Sequence, residues 1–181
     1  MWLAEIARER LEEVDDPEKG IERLMEYYHR KGYSVGWINQ RLKSIEVCKE
    51  LTDEWDRRGV KQGQEYATLT DIITQGWAGM TTREYKQYKG LKTESLRDNM
   101  TNLELVLNML AEATTTEISK ERQPVTFKES QHIAQQGGQI AGNTRKEIEA
   151  QTGRNIVSPL NAKDLKTIDE KDEEKENHLL S

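Results

Sequence analysis

The sequence predicts an all-α fold: a compact multi-helix domain of about six to eight helices with a disordered acidic C-terminal tail. Three observations lead there. Capping boxes occur at Thr81 to Glu84, Thr101 to Glu104 and Thr126 to Glu129, each setting a hydroxyl and a carboxylate against amides that a new helix leaves unpaired. Apolar residues recur at i, i+3, i+4 and i+7, the spacing of one helical face. Only 3 Pro interrupt 181 residues, and neither strand-like alternation nor an internal repeat competes with the helical pattern.

The elements follow in order. Leu3, Ile6, Ala7, Leu11 and Val14 share a helical face, and Asp16-Pro17 reads as an N-cap followed by proline at the first helical position. The next helix is expected to bury Ile21, Leu24, Met25 and Tyr28 and to stop at Gly32. Ser34 caps a longer helix, the expected spine of the fold, with Ile38, Leu42, Ile45, Cys48 and Trp55 on its inner face and Gly59 at its end. Tyr66, Leu69, Ile73 and Trp77 mark a fourth helix ending near Gly79. Thr81 starts a short piece over 82–88 that Gly90 ends, and a further short helical segment is expected around Glu94 to Asn99. From Thr101, the stripe Leu103, Val106, Leu107, Leu110 and Ile118 predicts a helix that Gln123-Pro124 closes. The last helix should run from Thr126 to Gln151 with Gly153 as its stop.

These elements group into a helical hairpin with a long helix over 1–59, a helical core region over 60–153 packing with it as one domain, and an irregular to disordered acidic tail over 154–181. Residues 169–181, DEKDEEKENHLLS, offer little apolar surface to offset the entropy of ordering.

Charge is uneven. Residues 1–26 hold 9 acidic and 4 basic side chains, 163–181 hold 7 and 4, and the middle carries 19 basic against 17 acidic. Acidic ends around a near-neutral centre exclude a wholly basic nucleic-acid glove but leave room for a local basic patch. No apolar run approaches the roughly 20 residues that cross a bilayer, and MWLAEIARER lacks the basic start and apolar centre of a signal peptide. A cytoplasmic protein without a membrane partner is therefore expected. The single Cys48 excludes an internal disulfide and reads as a small core residue.

Candidate sites are few. GGQIAG over 137–142 superficially suits a phosphate loop, but such loops follow a strand, and this one sits within a helix. Gly137, Gly138 and Gly142 are read instead as a close helix crossing or a kink, which should offset the roughly 1 kcal/mol that each helical glycine costs relative to alanine. His29, His132 and His178 are too scattered for a metal site, and no catalytic or cofactor-binding constellation stands out. Over 69–96, two helices flanking Ala78, Gly79 and Met80 have the spacing of a helix-turn-helix. The second carries Arg83, Lys86, Lys89 and, just beyond, Lys92, interleaved with Tyr85 and Tyr88. These four cations are the candidate phosphate contacts.

The same stretches carry a family likeness. WINQRLKSIEV at 37–47, LTDEW at 51–55, TLTDIITQGWAGMTTREYKQYKGL at 68–91, LRDNMTNLELVLNMLAEATTTEIS at 96–119 and GGQIAGNTRKEIEAQTG at 137–153 resemble the C-terminal portion of the DNA-damage-inducible protein D family, which is close to phage antirepressors of the BRO type. Members usually begin with a BRO-type domain thought to contact DNA. This chain starts past where that domain would end, which reads as a truncated or shortened form, so the DNA contacts of that domain are not carried over.

What the resemblance implies is a non-enzymatic regulatory or interaction domain of the SOS response to DNA damage, modulating recombinase filaments on single-stranded DNA. The alternative is a DNA-binding or oligomerisation domain of a prophage BRO-type antirepressor. A metal-dependent nuclease is a third and weaker class. Four Trp and six Tyr in a chain of modest core size add an expectation of homo-oligomers.

Overall fold

The structure is a computed structural model that describes residues 17–163. The helix expected over Leu3 to Val14, the Asp16 cap and the acidic stretch 169–181 lie outside those residues. Among the described residues there are six α-helices and no strand. They are α1 (Pro17–Arg30), α2 (Val35–Arg57), α3 (Gln64–Ala78), α4 (Thr82–Tyr88), α5 (Asn102–Arg122) and α6 (Phe127–Thr152), with a 3₁₀ turn at Arg97–Asn99 between α4 and α5. The described residues form two compact units that divide within α2, after Ile38.

In the first unit, Gly32 takes the left-handed conformation (φ +88°) that ends the turn after α1. Ser34 accepts a hydrogen bond from the Trp37 amide at 3.3 Å at the start of α2. Aromatic rings hold this unit together: Tyr33 stacks on Trp37 with centroids 4.0 Å apart, and Tyr28 meets both edge-on. Tyr28 is buried as the spacing requires, but Ile21 is exposed and Leu24 and Met25 are only half-buried. Contact among the aromatic rings, not an aliphatic stripe, organises α1.

In the second unit the spine is α6, not α2. It packs along both α3 and α5. The approach to α3 is close because neither backbone carries a side chain at the crossing: a Cβ on Gly138 would stand 2.7 Å from the Ile73 carbonyl oxygen and 3.1 Å from the Gly76 Cα. Gly142 faces the Gly76 carbonyl in the same way, while Gly137 faces α5 at Ala111 and Thr115.

The inner face of α5 differs from its apolar stripe. Leu103 and Val106 are 40% and 41% exposed, whereas Glu104, Asn108, Glu112, Thr115 and Ser119 are buried beside Leu105, Leu107 and Ala111. Small residues are needed where Gly137 approaches, and buried ion pairs occupy the rest. On α2 likewise, Ile45 faces solvent while Ser44, Leu51 and Glu54 are buried. Glu54 is held by Arg58 at 2.7 Å, by Arg57 at 3.2 Å and by the Ser119 hydroxyl at 3.0 Å.

The short helix expected around Glu94 to Asn99 is reduced to the single 3₁₀ turn. Beyond the Gly153 stop (φ +67°), the irregular segment buries Ile156 and Val157 within the second unit.

Candidate nucleic-acid interface

The candidate site lies where α3 hands over to α4. Gly79 turns left-handed (φ +79°) and donates its amide to the Gln75 carbonyl, ending α3. Two residues later the Thr81 hydroxyl accepts from the Glu84 amide at 3.3 Å, and the Thr81 amide donates to Glu84 Oε2 at 2.8 Å. The Thr82 amide donates to Asp71 Oδ1 at 3.0 Å, tying the start of α4 back to α3. Those amide bonds stabilise the charged carboxylate, so Glu84 titrates below its ordinary range, with the Thr81 backbone bond the larger cause.

With its start so fixed, α4 turns Tyr85 inward, fully buried and edge-on to Trp77 at 5.9 Å. Burial, and then the neighbouring Glu104 carboxylate, push the Tyr85 phenol far above its ordinary value. Tyr85 is therefore a core side chain and not a stacking platform for a base, whereas Tyr88 is 45% exposed.

The opposite side of α4 borders a solvent-open groove of about 580 Å³. Ala67, Thr70 and Asp71 form its α3 wall, and Arg83, Lys86 and Gln87 of α4, with Leu91 and Lys92 just beyond that helix, form the other. Arg83 and Lys92 are exposed and Lys86 is half-buried. A second cavity of about 320 Å³ shares Thr70, Thr82 and Lys86 and adds Arg41 and Arg97. Those two arginines are already engaged, Arg41 with Asp98 at 2.8 Å and Arg97 with Glu112. Burial pushes the Glu112 carboxyl upward despite its arginine partner.

Three of the four candidate cations thus come together, and Lys89 does not join them. Its side chain is wholly buried, with Nζ 2.9 Å from Glu104 Oε2 and donating to the Leu160 carbonyl at 2.6 Å. The Ser158 amide donates to the other Glu104 oxygen at 3.1 Å. Lys89 is an internal tie between α4, α5 and the segment after α6, and the reading of it as a phosphate contact is corrected. Residues Arg41 and Arg97, which flank the groove, had no signal in the sequence, being single cations in otherwise ordinary segments.

The three glycines lie in mid-helix, far from any loop that could cradle a phosphate. No group of three or more His, Cys, Asp or Glu suited to a metal ion occurs among the described residues. None of the described helices is long and apolar enough to cross a membrane. The arrangement offers positive charge at an open groove with one carboxylate on its far wall, which suits recognition of a polyanion.

A family model described as the DinD C-terminal domain matches residues 19–168. No curated protein matches the chain.

Proposed function

The chain belongs to the family of DinD C-terminal domains, of the DNA-damage-inducible proteins, and from that premise we propose that it is a non-enzymatic interaction domain that modulates recombinase filaments on single-stranded DNA. The observation that carries the reading at the level of residues is the groove of Arg83, Lys86 and Lys92. Three cations, of which Lys92 also faces the nearby Glu94 carboxylate, stand at one open surface, and phosphate contact needs that arrangement and little else. Such a protein works in the cytoplasm, beside the chromosome, and the outward Leu103 and Val106 give it apolar surface for self-association.

The test is recombinase filament assembly on single-stranded DNA, followed by light scattering or by filament ATPase, with and without this protein. Altered assembly or disassembly is the expected result. Unchanged filaments over a wide range of protein concentration would remove the proposal.

Duplex DNA contact through the α3–α4 pair is the second reading. Its weak point is geometric, because α4 has 7 residues and commits Tyr85 and the turn-end Lys89 to the interior. Too little helix remains to reach base edges in a major groove.

A further inference from the structure

The groove has a second polyanion within reach, and it belongs to the same chain. Residues 169–181 hold Asp169, Glu170, Asp172, Glu173, Glu174 and Glu176 against only Lys171 and Lys175. The chain leading to them is fastened at the end of α4, where Lys89, the residue after that helix, holds the Leu160 carbonyl at 2.6 Å on its inward side. Eight residues separate Leu160 from Asp169, and the nine steps between them span up to about 30 Å, enough to pass around α4, which is roughly 10 Å long. The other basic cavity, at the turn between α5 and α6, includes Arg122 and Lys128. It is within the same reach but offers less positive charge, because Arg122 is engaged by Gln136 at 2.7 Å and Glu129 lines the cavity beside Lys128.

We propose that the acidic stretch 169–181 occupies the groove of Arg83, Lys86 and Lys92 as an internal competitor for nucleic acid. Charge complementarity selects it, and the tether raises its effective concentration so that weak, salt-screened contacts suffice. The occupant is argued from this chain alone, and only its role as competitor rests on the function proposed above. A polyanion that binds more strongly displaces the acidic stretch, so free protein is held back from scattered short DNA and released where phosphate is dense.

The experiment is zero-length carbodiimide coupling of the full-length chain followed by mass spectrometry, with an equal mixture of isotope-labelled and unlabelled protein. Expected are intramolecular links from Lys86 and Lys92 to residues 169–176, at least severalfold above those to Lys128, and lost at 0.5 M salt. Links spread evenly over surface lysines, or links mainly between labelled and unlabelled copies, would overturn the proposal, the latter in favour of a second copy as occupant. In parallel, a full-length variant with the six acids changed to Asn or Gln should bind an oligothymidylate about tenfold more tightly at moderate salt. Unchanged affinity in a protein that binds DNA would overturn the competitor role. If neither protein binds DNA but the links persist, the occupant stands and the nucleic-acid reading fails.

Discussion

Lys89 is an ammonium cut off from water, and its burial is tolerable only because Glu104 and the Leu160 carbonyl surround it. Removing one partner leaves the other charge buried and alone. Lys89→Met should therefore lower stability by about 3–5 kcal/mol in urea unfolding, and the double variant Lys89→Met with Glu104→Leu should recover part of that loss. A Lys89→Met protein as stable as the parent would show the pair to be exposed in solution. Nothing local in YKQYKGLK distinguishes Lys89 from Lys86. The distinction comes from partners 15 and 71 positions away, which no local pattern contains.

The capping carboxylates were legible for the opposite reason. A capping box is complete within four residues, so the boxes at Thr81, Thr101 and Thr126 appear in the structure where the sequence places them. Glu129 is held below its ordinary range by the Val125 and Thr126 amides, as Glu84 is by Thr81. A depressed carboxyl stabilises the fold above its unfolded value, and the stabilisation disappears as pH falls through the folded value. Stability should therefore decline as pH drops below the ordinary glutamate value of 4.5. The combined change Glu84→Gln and Glu129→Gln should flatten that decline in a urea midpoint measured against pH. An unchanged profile would assign the acid sensitivity elsewhere.

Helix existence could be read from the sequence, but helix orientation only in part. On α3, Leu69, Ile73 and Trp77 are all buried, because apolar packing decides that face. On α5 the apolar stripe is right at Leu107 but wrong at Leu103 and Val106, since much of the interior there is made of ion pairs and of the small residues that let α6 approach. The pattern of hydrophobicity carries no information about a polar interior. The α3–α6 crossing depends on missing side chains, and Gly138→Ala would drive a methyl group into the Ile73 carbonyl oxygen. The helices must separate to admit it, at a cost of about 1–3 kcal/mol that thermal unfolding would detect. Gly36→Ala, where nothing lies within 4 Å, is the control and should not destabilise. Equal behaviour of the two variants would mean that the crossing is looser than described.

Across the described residues, charge is sorted between inside and outside. Net charge is −6, yet the buried acids Glu54, Glu104 and Glu112 are each matched by a base. Arg83, Lys86 and Lys92 are left to face solvent at one groove. The sequence counted Lys89 with these outward cations, because surface and interior lysines look alike until the chain is folded. If these three side chains contact phosphates, binding to single-stranded DNA must release counterions in proportion. The direct measurement is fluorescence anisotropy with an oligothymidylate across a salt series, comparing the parent with Arg83→Gln, Lys86→Gln and Lys92→Gln combined. The account predicts a slope of log K against log salt of about −2 for the parent and a slope near zero with much weaker binding for the triple variant. Equal slopes and affinities in the two proteins would contradict it.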